Sequence, residues 1–394
     1  MDLGAFRQLL SPSGLEVLAS AEALEPREAD FLVQFQTLTH CYPPELARVA
    51  LEVAILRREA RSKFPFADRL FLTREALEQA SSFAISSYRA ERYRPFTSLV
   101  DLGCSVGADT FALSKIAPTL GLELDPVRLS MASANLRALG LSDRARPIQA
   151  DLLQPLPIQS GSAALFFDPA RRSGHRRHFS VQQYHPPLSI IKGWLPDFPS
   201  LGVKTSPGVD LSELTDYQAE VEFISLHGEL KEAVLWFGAL KTAHRRATIL
   251  PGPHQLAIND NERSSPAPEH ISEPKSYLYE PDPAIIRAGL VTGLAKMLDA
   301  SQIDPDIAYL TSGSAVPTPF ARLWTVMDWF PFQLKRLRAY LRQRDVGHVT
   351  VKKRGSPLEP DFLIHQLRLK GDQDRVLVLT HLRGEPIVII CNGL

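Results

Sequence analysis

Apolar positions recur at three- and four-residue spacing early in the chain, at Leu46, Val49, Ala50, Val53 and Ile55 and again along EALEQASSFAISSYRAERY, which predicts helices over residues 1–94. From Ser98 the pattern changes. Short apolar runs (SLV, APTLGLEL, RARPIQA, SAALFF, SLGVKTS) alternate with helical stretches, the signature of a parallel sheet flanked by helices. Residues 251–274 are rich in Pro, Asn, Ser and Glu and read as a linker or mobile loop. Beyond them DPAIIRAGLVTGLAKMLDA and QLKRLRAYLRQR predict helices, and VGHVTVKKR, RVLVLTHLR and EPIVIICN predict strands. The expected organisation is an amino-terminal helical domain over 1–94, an α/β core over 95–250, the linker, and a small α+β domain over 275–394.

Composition narrows the class. Hydrophobic residues are 44% of the 394 and charged residues 22%, which excludes a disordered or fibrous chain. Lys and Arg number 44 and so do Asp and Glu, so a polyanionic partner has to be read from local clusters. One such cluster is residues 333–354, where eight bases (Lys335, Arg336, Arg338, Arg342, Arg344, Lys352, Lys353, Arg354) face one acid, Asp345, for a local charge of +7. It reads as a phosphate-binding surface or as a helix with a solvated basic face. Three scattered cysteines, Cys41, Cys104 and Cys391, fit neither a disulfide framework nor a zinc site, and a reducing cytoplasmic setting is expected. The amino terminus lacks the pattern of a secretory signal, and no run approaches the ~18 apolar residues that span a bilayer. No metal constellation is visible, and the oligomeric state stays open.

The richest segment is SLVDLGCSVGADTFALSK, where a strand ends at Asp101, Gly103 and Gly107 lie in a tight turn, and a helix comes next. A dinucleotide fingerprint would have its second glycine where this chain has Ser105, which disfavours a nicotinamide enzyme. Carboxylates stand instead at successive strand ends: Glu123 after TLGL, Asp151 after PIQA, and Asp168 after ALFF. Three on the ligand-binding edge of one sheet are hard to ascribe to solvation. For Asp168 the competing reading is a helix cap or a salt-bridge partner.

In the order VDLGCSVGAD, GLELDP, MASANLRALGL, QADLL and FFDPARR, residues 95–250 resemble the class I S-adenosylmethionine-dependent methyltransferases. The resemblance implies a Rossmann-like seven-stranded core with S-adenosyl-L-methionine as cofactor. It places Asp101, Gly103, Ser105 and Gly107 along the methionine part, Glu123 on the ribose hydroxyls and Asp151 on the adenine amino group. Carboxylates suit a diol or an amine donor through charge-assisted hydrogen bonds.

Asp168 and Pro169 stand where amino-methylating relatives carry Asp or Asn, two prolines and an aromatic ring, a motif that aims the target nitrogen at the methyl carbon. Here Ala170 replaces the second proline and Arg171 the ring, and a guanidinium stacks on a base or holds a phosphate. An Asp-Pro-Pro-Arg motif also occurs in RNA uridine C5 methyltransferases. These need a cysteine nucleophile further along, and no cysteine lies between Cys104 and Cys391, so that mechanism is rejected. RRSGHRRH, residues 171–178, holds four arginines and two histidines and reads as a phosphate contact or a solvated run. Position alone nominates Arg172, Lys204 and Ser206 as substrate contacts.

VKTSPGVDLSEL, FISLHGELKEAVLWF, YLYEPDPAIIRAGL, FQLKRLRAYL and VTVKKRG resemble bacterial methyltransferase-like proteins with a carboxyl-terminal THUMP-like domain. THUMP domains present RNA to modifying enzymes, so this resemblance implies RNA as partner, with Lys352, Lys353 and Arg354 among its contacts. The expected activity is methyl transfer to an exocyclic amine of a purine in a structured RNA, with Asp168, Pro169 and Arg171 as the catalytic set. The alternatives are a non-catalytic RNA-binding protein that retains the fold, and a methyltransferase acting on a small molecule or protein.

Overall fold

The computed structural model describes the chain apart from residues 160, 162, 171, 174–175, 178–179, 260–269 and 394, and apart from the side chains of residues 172, 173, 176, 177 and 393. Two compact units are formed, Met1–Val221 with Lys231–Thr242, and Glu222–Leu230 with Ala243–Leu394.

The first unit opens with helices α1 (Leu3–Leu9), α2 (Pro12–Ala23), α3 (Phe31–Thr39) and α4 (Pro44–Ala60). In α4 the apolar spacing read from the sequence buries Leu46, Val49, Ala50, Val53 and Ile55. The next long helical pattern splits into α5 (Arg74–Gln79) and α6 (Phe83–Ala90), because Ala80 turns to ψ 135° and Ser82 caps the new start in extended conformation. This break leaves carbonyls at the end of α5 without helical partners.

One sheet contains β1 (Leu99–Leu102), β2 (Thr119–Glu123), β3 (Ala145–Gln149), β4 (Ala164–Phe167), β5 (Leu201–Thr205), β6 (Glu220–Leu226) and β7 (Glu229–Trp236). Their order is β3-β2-β1-β4-β5-β7-β6. The first five are parallel, and β7 runs antiparallel to β5 with Gly202 opposite Trp236. All four residues of β1 and of β4 are buried, as expected of central parallel strands covered on both faces. Order reverses between β1 and β4, so a crevice opens at their carboxyl ends.

Helices α7 (Thr110–Ile116) and α8 (Pro126–Leu139) come after β1 and β2. The helical region shares one apolar core with them, in which Phe6, Leu51, Phe64 and Phe71 join Phe111, Met131 and Leu136. Asn135, fully buried, fastens the two together: its amide donates to the Phe71 and Val106 carbonyls at 2.9 Å each and accepts from the Phe71 N–H at 2.7 Å. A four-residue helix, α9 (Ile191–Trp194), precedes β5.

In the second unit β8 (Arg245–Leu250) and β9 (His254–Ile258) pair antiparallel, so a strand forms inside the stretch expected as a linker, whose residues 260–269 lie outside the described residues. A second sheet comprises β10 (Tyr277–Pro281), β11 (Ser301–Asp304), β12 (Ile307–Ser312), β13 (Ala321–Pro331), β14 (Val346–Lys353), β15 (Gln373–Leu382) and β16 (Glu385–Gly393). Its order is β11-β12-β10-β13-β16-β15-β14. The helix expected from DPAIIRAGLVTGLAKMLDA is two, α10 (Pro283–Arg287) and α11 (Val291–Met297), separated where Gly289 adopts a φ of +71°. Along β16 the alternation sends Val388 and Ile390 to one face, packed with Leu337, Leu341, Leu363 and Leu367 of α12 (Leu334–Gln343) and α13 (Pro360–Leu367). Ile387, Ile389 and Cys391 face the other side, with Tyr309 and Trp324.

Candidate functional site

A cavity of about 480 Å³ opens at the carboxyl ends of β1, β2 and β4, where the strand order reverses. Gly103, Ser105, Glu123, Asp151, Asp168 and Pro169, all nominated by the sequence, line it together.

The turn after β1 explains its own residues. Gly103 sits at φ +78°, and a Cβ placed there would project into the space between the Asp168 carbonyl, at 3.5 Å, and the Leu152 side chain, at 4.0 Å. A bare backbone edge there leaves room for a ligand laid across the strand ends. Ser105 adopts φ +51°, the left-handed conformation that a glycine takes without strain. Its N–H donates to Glu123 Oε2 at 2.9 Å, while Oε1 accepts from the Asp125 N–H at 2.8 Å. Asp125 in turn caps α8 by accepting from the Val127 and Arg128 amides. Glu123 is thereby fixed beside the turn, one carboxylate braced by two amides.

Asp151 Oδ1 accepts from the Leu153 N–H at 2.9 Å. Leu124 and Leu153, each 56% exposed, present apolar side chains to the same cavity. The remaining wall comes from Ala76, Gln79 and Ala80 at the end of α5 and from His185 and Pro186. The chain leaves the cavity at Ala170 and returns at His185, where the two backbones exchange hydrogen bonds of 3.1 and 2.9 Å. Neither wall was nominated by the sequence. The α5 residues lie well before the turn and carry no motif, and the return at His185 depends on a backbone bridge that has no residue signature.

Other nominated residues lie elsewhere. Asp101 is buried beneath the turn rather than on the cavity wall, and accepts from Thr110 Oγ1 at 2.5 Å. Burial first, and Asp109 next, push its carboxyl up to about 8. Gly107, at φ +95°, abuts Phe111, whose Cε1 would lie 2.7 Å from an added Cβ. It serves the packing of α7. Lys204 is almost fully buried below Asp168, and its Nζ donates to Asp168 Oδ2 at 2.6 Å and to the Gln79 carbonyl at 3.1 Å. Asp168 thus combines both readings of the sequence: it is a salt-bridge partner and it lines the cavity. Ser206 is buried, its N–H donating to the Tyr184 hydroxyl and its Oγ accepting from the Gly208 N–H. Arg171 lies outside the described residues, as does the Arg172 side chain; the Arg172 backbone pairs with Arg177 in a two-residue strand.

Below the turn, Arg89 pairs with Asp109 and Glu232, and its guanidinium lies 4.7 Å from the Phe166 ring centre. Burial alone would lower the Arg89 pKa, but Asp109 and Glu232 outweigh it and raise it. Ser81 Oγ donates to the same Glu232 at 2.6 Å.

In the second unit, Lys352 pairs with Glu280 at 3.3 Å and Lys353 with Glu359 at 2.5 Å, while the Arg354 guanidinium lies 5.4 Å from the Tyr309 ring centre. The bases of α12, and Arg344 which follows it, are more open. Lys335, Arg336, Arg342 and Arg344 are exposed, and Arg338 donates to the Gln366 carbonyl at 2.5 Å. Arg336 lies over Phe330 (4.2 Å), Phe330 meets Tyr340 (5.6 Å), and Arg344 covers Tyr340 (3.6 Å), a series of four planar groups.

A sheet ordered 3-2-1-4-5-7-6 with an antiparallel seventh strand, and carboxylates after β2, β3 and β4 around one cavity, define the fold of a class I methyltransferase. The chain is 34% identical over 343 residues, 84% of its length and 92% of theirs, to the uncharacterized S-adenosylmethionine-dependent methyltransferase MT3122 of Mycobacterium tuberculosis strain CDC 1551 and to its counterpart in strain H37Rv. It belongs to the S-adenosylmethionine-dependent methyltransferases, with S-adenosylmethionine as cofactor. A crystal structure from Porphyromonas gingivalis W83, named as a methyltransferase, shares the fold at 21% identity with a TM-score of 0.75, covering 93% of this chain and 99% of that one. Residues 321–393 match the THUMP domain-like family, and residues 2–60 a domain of unknown function (DUF8688). Among the described residues no helix is long and apolar enough to cross a membrane.

The cavity fits that cofactor. Gly103 leaves the cradle open, Glu123 and Asp151 offer acceptors for a diol and an amine, and Leu124 and Leu153 offer apolar faces for a ring.

Proposed function

We propose that the chain methylates a base nitrogen of RNA, an exocyclic amine, with Asp168 as the group that receives the amine. One observation carries this reading: Asp168 and Pro169 line the same cavity as Gly103, Glu123 and Asp151, so an amine hydrogen-bonded to Asp168 stands beside the bound donor. The sulfonium supplies an activated methyl group: the N–C bond forms as the C–S bond breaks, sulfur keeps the electron pair as a neutral thioether, and the amine proton leaves to water. The protein adds placement, which is worth more than acid–base chemistry for so reactive a donor. Arg171 and Arg172 are assigned to the RNA strand, from their place directly after Asp168.

RNA is favoured by α12. Three of its four bases are exposed, as is Arg344 just beyond its end, and Arg336 and Arg344, each lying over an aromatic ring, present flat cationic faces suited to bases and phosphates. Lys352 and Lys353 already have acidic partners and are the weaker candidates. The THUMP-like match supports the same partner.

The test is transfer of labelled methyl from S-adenosylmethionine to total RNA of a strain lacking the protein, with the label then traced to individual nucleosides. Label in a base-methylated nucleoside, lost in Asp168→Ala while RNA affinity persists, is expected. RNA binding without any label would favour a non-catalytic role, and label in protein or metabolite fractions would move the substrate to another class.

A further inference from the structure

The break after α5 leaves four successive carbonyls, of Leu77, Glu78, Gln79 and Ala80, and every one of them accepts from a lysine. Lys63 Nζ takes three, at 2.7 Å from Leu77, 3.2 Å from Glu78 and 2.9 Å from Ala80. Lys204 takes the Gln79 carbonyl at 3.1 Å. Cations at a helix carboxyl terminus satisfy orphan carbonyls and complement the dipole, which explains Lys63. It does not explain Lys204, whose shorter contact is to Asp168 at 2.6 Å.

Lys204 comes from β5, every residue of which is buried, so its side chain reaches Asp168 from below the cavity and has little room to move. Asp168 is more open, at 21% side-chain exposure against 3% for Lys204, and lines the cavity that Lys204 does not reach. A carboxylate with one oxygen held from beneath by a buried ammonium cannot turn freely. Its other oxygen is the one left for a donor arriving through the cavity.

We propose that Lys204 is a positioning residue for methyl transfer: seated on the Gln79 carbonyl, it clamps Asp168 Oδ2 and so sets the direction from which Oδ1 accepts the target N–H. This rests on Asp168 as the receiver of the amine, and extends that role. The ammonium acts through Asp168 and touches neither cofactor nor substrate. It also gives the helical region a part in the chemistry, because the Gln79 carbonyl that seats Lys204 belongs to α5. The arrangement suits a nucleophile that donates a hydrogen bond, such as an amine. A carbon or an already deprotonated oxygen would face the carboxylate with no proton to share.

The experiment compares wild type with Lys204→Met, Lys204→Arg, Asp168→Asn and the Lys204→Met/Asp168→Asn double variant. Turnover is read as labelled methyl entering total RNA, and cofactor-site integrity as S-adenosylhomocysteine affinity by calorimetry. Lys204→Met is expected to lower kcat by ~10²-fold, the scale of a misplacement of about 1 Å. KM for S-adenosylmethionine and the affinity for S-adenosylhomocysteine should stay within about twofold. Lys204→Arg should recover at least about tenfold of the loss, and in the Asp168→Asn background Lys204→Met should add under about threefold, the mark of two residues acting as one unit. Unchanged kcat in Lys204→Met, or losses that multiply in the double variant, would overturn the proposal.

Crystal structures of wild type and Lys204→Met with S-adenosylhomocysteine supply a readout that needs no substrate. The Asp168 carboxylate is expected to turn by more than about 30° about its terminal torsion, which is intrinsically broad and is held in wild type by the Lys204 contact. An unmoved carboxylate would overturn the positioning role even if RNA is methylated. If it moves and no RNA is labelled, the clamp stands and RNA as substrate fails.

Discussion

Ser105 occupies backbone space that most L-residues avoid, and its amide is one of the two that brace Glu123. Two substitutions separate these duties. Ser105→Gly keeps the amide and removes the strain, so urea denaturation should show stability equal to wild type or slightly above it. Ser105→Val adds branching at positive φ and should cost about 1–2 kcal/mol, with a parallel loss of S-adenosylhomocysteine affinity by calorimetry. Asp101 makes a pH-dependent prediction. Its folded pKa, about 8, lies above the ordinary carboxyl value of 3.8, so its favourable contribution is complete below that lower value and disappears as pH rises through 8. In melting scans from pH 4 to 8, Asp101→Asn should therefore gain on wild type as pH increases. A constant gap would mean that Asp101 stays ionised. At this scale the sequence is informative about residues that line the cavity: Gly103, Glu123, Asp151 and Asp168 are marked by type and by place at a strand end. It is silent on Gln79, which acts through its main-chain carbonyl, an atom every residue owns.

Elements show why the helical stretch before β1 is more than a preface. Helix α6 delivers Arg89 to Asp109 at the start of α7 and to Glu232 on β7, and the three hold the helical region, the turn and the sheet to one another. All three are under a tenth exposed. Arg89→Met leaves two carboxylates buried without their cation and should cost about 3–5 kcal/mol in chemical denaturation. A loss below about 1 kcal/mol would show that the carboxylates find protons or water instead. Lys63 is a second case. Burial, then Lys204, lowers its pKa from 10.5 to about 8, so its contribution to stability is complete above 10.5 and is lost as pH falls through 8. The stability deficit of Lys63→Met relative to wild type should accordingly widen between pH 8 and 10.5 in melting scans. Periodicity located these helices, yet it merged α5 with α6 and α10 with α11. Apolar spacing persists across Ala80 and Gly289 because both flanks bury the same kind of face, while the break itself is written in backbone dihedrals.

Over the whole molecule the charges cancel, so binding to a polyanion has to arise from where they gather. The cluster over 333–354 looked uniform as a string. Folding divides it: Lys352 and Lys353 meet Glu280 and Glu359, and the open charge is left on α12. Sequence spacing cannot foresee partners as distant along the chain as Glu280. On the RNA reading, Arg336→Ala and Arg344→Ala should each reduce the slope of log affinity against log salt by about 1, and Lys352→Ala should change it less. Slopes unchanged from wild type in Arg336→Ala and Arg344→Ala would remove this pair from the interface. The fold class, by contrast, was plain from the alternation after Ser98, since parallel strands buried on both faces leave long apolar runs that solvent-facing strands do not.

The wall contributed by Ala76, Gln79 and Ala80 bears on how such a catalyst can be taken apart. A gene fragment starting at β1 would encode every strand-end carboxylate and still yield a pocket open along one flank, with Lys204 facing a carbonyl that is no longer there and the apolar sides of α7 and α8 bare to water. Recombination that transplants the sheet without its preceding helices would move the motif and leave the enzyme behind.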